Sequence, residues 1–485
     1  MNIIARQTFF NLVSIGFAFL IGAINTLYMY PNYMGSRYQG VIISLLAFSN
    51  LFQPFISFGL QHAIIKFFSS FKSKRDKDSL LIFSLLFPLI ILCFFSLALW
   101  KVWPSIVSEI SLKEPLIKTY AFVIIAIAIS TSYFEIFFSW LRVNFATVFG
   151  NFLKEFYPRL LIFSLLSTYA SGLIDLSTFI YAIVIGYYLR LFIIICYSFW
   201  IYTPRISFKF PPMIKEILWY SFLIFLSGAA ASIILDIDKS MIASIITSND
   251  VAFYSVALFI ATVIESPGRA MFQIVSPLVA KAINTNDEIY LKNLLKKSSS
   301  NLLLISGCIF LLINLNLDDF YMFVNQPLYS VGIGIVGIIS LGKLYSMSIG
   351  CLNNIISNSI YYPYVFWFSI LSAIAAVVLN LMLIPDYGIA GAAYATLIVI
   401  LIINTLKIAL IKFRLDIHPF SKQTFIIIGV ILAVYFIISQ INLSFSPFIN
   451  LLLRSTIITL VYAVLSYSLG LTNDINNQVK KILKK

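Results

Sequence analysis

Apolar runs of about 20 residues recur along the whole of this chain. In hydrocarbon, such a run has to satisfy its own N–H and C=O groups, and the α-helix is how a single segment does so. Fourteen runs fall at about 8 to 30, 41 to 64, 80 to 101, 118 to 140, 157 to 174, 178 to 201, 217 to 245, 252 to 279, 298 to 315, 330 to 353, 363 to 384, 389 to 412, 424 to 441 and 448 to 470. Connections between them are short, the longest lying around Asn284 to Lys297, so no soluble domain is expected on either side. Over 485 residues only 11% are charged and 60% are hydrophobic, whereas a soluble chain carries ~25% charged residues. Too few charges remain to coat a globule in water. The expected fold is an all-α polytopic membrane protein of about fourteen transmembrane helices.

Bases set its orientation. With the amino terminus inside, 24 of the 33 Lys and Arg fall in cytoplasmic segments, among them Arg6, the cluster Lys72 to Lys77, and Lys480, Lys481, Lys484 and Lys485. Only Arg37, Lys101, Lys113, Lys118 and Lys239 face the other way. That bias places both termini in the cytoplasm. It also accounts for the net charge of +14, which points to anionic lipid surfaces and not to nucleic acid. The first helix follows a single Arg6, is longer than a signal-peptide core and lacks a small-residue cleavage site, so it is expected to remain.

Sliding the chain on itself by 213 residues lays Pro54 on Pro267 and maps the segments at 80 to 101, 118 to 140 and 178 to 201 onto later helices. Two six-helix halves of the same orientation follow, related by an axis along the membrane normal. The expected domains are 1–209, 210–415, helices 13 and 14 over 416–472, and a basic tail over 473–485.

Charges deep in the spans are the candidate site residues, because each costs about 2.5–3.5 kcal/mol at the bilayer centre unless it faces water or a partner. Arg190 and Lys343 lie near the middle of helices 6 and 10 without an acid close in sequence, and a cavity role is expected for both. Glu265 and Arg269 share a helix face four residues apart, and either neutralise each other or face a cavity. Asp236 and Lys239, three apart, can pair on one face while Asp238 points elsewhere; these three are the candidates for ion coupling. Glu135 and Arg142 are placed to bridge at the cytoplasmic rim. Pro54, Pro88, Pro267 and Pro277 inside spans are either bending points or static kinks. His62 and His418 are isolated, and Cys93, Cys196, Cys308 and Cys351 lie far apart, so no metal, disulfide or cofactor is expected.

One stretch breaks the apolar pattern. In LNLMLIPDYGIAGAAYATLIV, Leu379 to Val399, Pro385 and Gly388 make a turn between helices 11 and 12. The restart at Gly391, Ala392, Ala393, Ala395 and Thr396 offers a small surface to a neighbouring backbone. This stretch is similar to the eleventh-to-twelfth helix signature of the multidrug/oligosaccharidyl-lipid/polysaccharide exporter superfamily, in its polysaccharide transporter branch, the Wzx-type oligosaccharide flippases. DIDKSMIASIITSNDVAFYSVAL, Asp236 to Leu258, and YMGSRYQGVIISL, Tyr33 to Leu45, resemble the family around helices 7 to 8 and 1 to 2.

The resemblance implies two MATE-like helix bundles around a central hydrated cavity that opens alternately to either side. It implies a non-enzymatic flippase that carries polyprenyl-diphosphate-linked oligosaccharide across a bacterial inner membrane for O-antigen or capsule synthesis, with a polysaccharide polymerase and other assembly proteins as partners. A sugar chain and diphosphate would lose many hydrogen bonds in hydrocarbon, so the step needs a carrier. A cation-coupled multidrug exporter and a lipid II-type precursor flippase are the alternatives within transport. A membrane glycosyltransferase or polymerase is the enzyme alternative: Asp236-Ile237-Asp238 matches a DxD pattern, but the outer loops are too short to carry catalytic acids. No Gly-rich phosphate loop is present to bind ATP.

Overall fold

The computed structural model describes residues 16–471, apart from 145, 206–208 and 442. The start of the first expected helix, Arg6, and the tail over 473–485 with its lysines lie outside the described residues. Among the described residues there is no strand, and fourteen long helices occupy the fourteen expected places. They are α1 (16–34), α2 (Gly35–Ser57), α3 (Lys74–Ile110), α4 (Ala121–Val143), α5 (Tyr157–Ala170), α6 (Leu176–Ile201) and α7 (Ile214–Ile245). Then come α8 (248–284), α9 (Glu288–Asn314), α10 (Ile333–Ser348), α11 (Pro363–Tyr387), α12 (Ile389–Leu415), α13 (Lys422–Ser439) and α14 (Pro447–Ser468).

Eleven helical stretches among the described residues are long and apolar enough to cross a bilayer, or twelve with α7, which bends by 41° between Ala230 and Ser232. The number falls below fourteen because α1 and α2 run together as Gly16–Ser57, and because α5 alone has 14 residues, about 21 Å at 1.5 Å per residue. In fact helix precedes α5 without a break, through Thr147–Asn151 and the π-turn Phe152–Phe156. The segment expected from 157 is thus the later part of a longer helix, with Lys154, Glu155 and Pro158 inside it.

Where the expected elements break, the cause is local. The second segment ends early, at Phe58 and Gly59, whose φ values of 48° and 73° are left-handed; the short helix Leu60–Phe67 then restarts the chain. Gly59 also meets α7, since a Cβ there would lie 2.4 Å from the Ser221 carbonyl oxygen. At the α11–α12 corner Pro385 does not end the helix. It sits in the last turn, and the reversal falls on Gly388 at φ 60°. The small-residue restart does what it promised: a Cβ on Gly391 would lie 2.1 Å from the Leu383 carbonyl oxygen, and Ala392, Ala393 and Ala395 are fully buried.

Two compact units divide the chain, Met1–Ala252 and Phe253–Lys485. The expected boundary at 209/210 follows the repeat, whereas the compact unit follows contacts and takes in α7. In the first unit α2 packs between α4 and α7, and the contacts that seat it are small and polar. Gly40 lies so close to the start of α8 that a Cβ would come within 1.6 Å of the Ser248 carbonyl oxygen. Ser132 of α4 donates to the Gln53 carbonyl at 3.0 Å and Ser130 to the Tyr187 carbonyl of α6 at 2.9 Å. Such bonds between helices count where lipid offers no alternative partner. Ser36 donates to the Asn249 side-chain oxygen at 2.8 Å. At one end of this unit Arg37 clasps Glu114 through Nε and Nη2, both at 2.9 Å.

In the second unit α13 and α14 pack on α9 and on each other. Ile431 fills the space above Gly307, and Tyr462 donates to the Leu304 carbonyl at 2.9 Å.

Two predictions follow from this packing. Gly40→Ala forces α2 from the Ser248 carbonyl and lowers stability by about 1–3 kcal/mol, while Gly429→Ala, with nothing within 4 Å of its Cβ, leaves it unchanged or gains up to ~1 kcal/mol of helix propensity; thermal unfolding in detergent compares them. The second concerns Glu114, whose carboxyl is held below the usual range first by the hydrogen bonds from Arg37. A depressed carboxyl stabilises the fold above its unfolded pKa, about 4.3 for Glu, and that stability is lost as pH falls through the folded value. The unfolding temperature of Arg37→Ala is therefore expected below that of the parent at pH 7, with the gap closing as the pH drops below the unfolded value.

Candidate functional site

Polar side chains on the three packed helices of the first unit fall on single faces. On α4 they are Thr131, Glu135, Ser139 and Arg142, spaced four, four and three apart. On α2, Asn50, Gln53 and Ser57 recur at the same rhythm, and on α7 Ser232 and Asp236 do so, with Gly228 one turn before them. Helical periodicity turns each set to one side, and the three sides converge on a cavity of about 370 Å³. Gln61 and His62, just past the Gly59 turn, and Lys154 from the π-turn complete its wall. A cavity of this volume lies at the lower end of the range for small-molecule sites, about 300–1,000 Å³.

The two acids of this cavity are each paired with a lysine. Lys154 Nζ lies 2.7 Å from Glu135, so the acid of α4 is bridged from the α5 side and not by Arg142, as the rim pairing expected from sequence would have it. Arg142 is exposed and covers the Phe138 ring at 5.8 Å, with Lys154 at 5.5 Å from the same ring. Asp236 is buried, takes Lys239 Nζ at 2.7 Å on one oxygen and Asn50 Nδ2 at 3.0 Å on the other. Asp238 is also buried and has interactions of its own.

The other sequence candidates lie elsewhere. Arg190 on α6 is buried behind the wall, its guanidinium 4.2 Å from the Phe134 ring centre and 4.6 Å from that of Tyr187. The two rings take the place of a counter-ion, and Nη2 reaches the wall residue Thr131 at 3.5 Å. Lys343 on α10 pairs across helices with Glu265 at 3.1 Å, while Arg269, the partner suggested by spacing, is exposed. His418 lies in the α12–α13 link, and the four cysteines are unpaired. Among the described residues no group of His, Cys, Asp or Glu is placed to hold a metal ion.

Sequence reasoning passed over Lys154, Asn50, Gln53 and Ser139, and its signal was available: a polar residue every third or fourth place within an apolar span marks a face turned away from lipid. A further ion pair lies in the second unit. Arg454 on α14 donates to Asp319 at 2.6 Å and to the Leu315 carbonyl at 2.9 Å, and Asn450 holds the other Asp319 oxygen at 3.0 Å.

Apolar helices enclosing a charged cavity define a multi-pass membrane protein whose interior chemistry is polar. The chain belongs to the polysaccharide biosynthesis protein family, whose model matches residues 4–283. Among solved structures it is similar to the lipid II flippase MurJ in an inward closed conformation, with a TM-score of 0.73 at 17% identity over 95% of this chain and 98% of that one. It is also similar to an inward-facing multidrug resistance MATE family transporter, at 0.62 and 15% over 84% of this chain and 94% of that one. The MATE multidrug transporter DinF-BH in complex with R6G matches at 0.52 and 13%, over 85% and 95%. At these identities the likeness is one of fold. No curated protein sequence matches the chain.

Arg454→Ala leaves the buried Asp319 uncompensated, and the expected cost is about 3–5 kcal/mol. The double change Arg454→Leu with Asp319→Leu removes both charges and is expected to restore most of the stability. Thermal unfolding of the three proteins measures both effects.

Proposed function

We propose that this protein is a flippase that moves a polyprenyl-diphosphate-linked oligosaccharide from the cytoplasmic to the outer face of a bacterial inner membrane, for surface polysaccharide such as O-antigen or capsule. The observation that carries this reading is the charged cavity inside the first unit of a chain from a polysaccharide biosynthesis family. Arg142 and Lys154 belong to segments that the distribution of bases assigns to the cytoplasmic side, where such a lipid is made. Their two cations suit a diphosphate, which accepts charge-assisted hydrogen bonds. Glu135 holds Lys154 while the cavity is empty and yields it to the phosphate. Asn50, Gln53 and Ser139 offer the donors and acceptors that sugar hydroxyls need, and the polyprenyl tail stays in lipid. The protein acts as a carrier and not as an enzyme. A polymerase on the outer face would consume its cargo.

The test is mass spectrometry of polyprenyl-diphosphate-linked sugars in a strain lacking the gene, with surface polymer scored in parallel. Complete repeat units are expected to accumulate as the surface polymer is lost. Re-expression of Arg142→Gln or Lys154→Gln is expected to restore export at least roughly tenfold less well than the parent, as loss of a charge-assisted hydrogen bond predicts, with Arg142→Lys in between. Unchanged lipid-linked sugars with new drug sensitivity would sink the reading in favour of a multidrug exporter, and accumulated lipid II would redirect it to peptidoglycan precursor.

A further inference from the structure

We infer that Lys239 is a tethered cation: its ammonium holds permanently the place that an exchangeable sodium ion or proton would take on Asp236, so transport draws no ion through that carboxylate. For the word transport this rests on the proposed function; for the occupancy of Asp236 it rests on geometry alone.

Asp236 lies in α7, nine residues before its last residue Ile245, and forms part of the cavity wall. A lone carboxylate at such a place is costly and is neutralised by a proton or a metal ion. Here the protein supplies the neutraliser. A lysine three residues on shares the same face, and its Nζ lies 2.7 Å from one Asp236 oxygen. Asn50 of α2 donates to the other at 3.0 Å. Because an ionised carboxylate only accepts, the Asn50 amide has to turn its NH2 group this way, and it offers no oxygen here to a metal ion. A sodium ion would have to expel an ammonium bonded to the same chain, and would then find only one carboxylate oxygen turned towards it. The remaining titratable groups facing the cavity are His62, Glu135, Arg142 and Lys154; Asp238 stands about 200° round the helix from Asp236 and engages other groups.

The arrangement recurs. Glu135 has Lys154 at 2.7 Å, Glu265 has Lys343 at 3.1 Å and Asp319 has Arg454 at 2.6 Å. Each of these acids is answered from within the chain, but only Asp236 has its cation on the same turn of the same helix, where no helix movement can part them.

The test uses the purified full-length protein in detergent. Thermal unfolding is followed in sodium, potassium and choline chloride at equal ionic strength, across pH 5 to 8. The parent is expected to show no ion-specific shift. Lys239→Gln is expected to unfold several degrees lower in choline and to recover in sodium or at low pH, because the vacated oxygen then takes an external cation. Lys239→Arg keeps a tethered charge and is expected to behave as the parent. Proteoliposomes loaded with lipid-linked oligosaccharide add the transport half: the double change Asp236→Asn with Lys239→Gln, which removes the pair, is expected to keep the parent's response to a sodium or proton gradient, whereas Lys239→Gln alone gains an added dependence on one. A sodium-specific stabilisation of the parent that Asp236→Asn abolishes would overturn the inference, as would a Lys239→Gln protein indifferent to every cation and to pH. Should no condition move the lipid, the flippase reading fails while the ion titration still decides the occupancy of Asp236.

Discussion

A charge carried into hydrocarbon has to be answered by an opposite charge, by a polarisable ring or by water, because the surroundings supply nothing else. That constraint organises this protein more than any apolar contact does. Leucine and isoleucine face lipid as readily as they face each other, so they hold a helix in the membrane without saying which neighbour it should have. Glu135, Glu265 and Asp319 do say, each through a cation on another helix, and Asp236 does so through the Asn50 amide of α2. Arg190 makes the same demand and is met by Phe134 and Tyr187.

The small residues work alongside these pairs. Gly40, Gly59 and Gly391 bring backbones together where a side chain would hold them apart, and serines such as Ser130 and Ser132 bond to carbonyls of the adjacent helix. Close approach of α2 to α4 and α7 is what lets three short rows of polar side chains enclose one cavity instead of three separate wet grooves. The site is therefore a product of packing at glycine and serine as much as of the charged residues that give it its chemistry.

The fourteen helices were legible because hydrophobicity over about twenty residues is a local property. So were the charges that would need an answer: Arg190, Lys343, Glu265 and Asp236 all sit in spans and all turn out buried or half-buried. The pairing of Asp236 with Lys239 could be read from spacing because both lie on one turn. The pairings of Glu135 with Lys154 and of Glu265 with Lys343 could not, since each joins different helices and a nearer base, Arg142 or Arg269, stood as a decoy. The corner at Gly388 shows the same limit in miniature. A proline and a glycine mark a turn, but which of them takes the reversal depends on whether the missing Pro385 N–H falls where a helix can spare it.

The distances in sequence between these partners also set an order of events during synthesis. An acid and a base on one turn of α7 enter the membrane already neutral. Glu265 enters 78 residues before Lys343 is made, an interval of roughly 4 to 16 s at 5–20 residues per second. Through that interval α8 holds an acid that its own final partner cannot yet cover, so it has to linger near water at the insertion machinery or borrow Arg269. The exposed arginine that geometry leaves aside in the finished protein stands within one helical turn of Glu265 when the newborn helix first needs it.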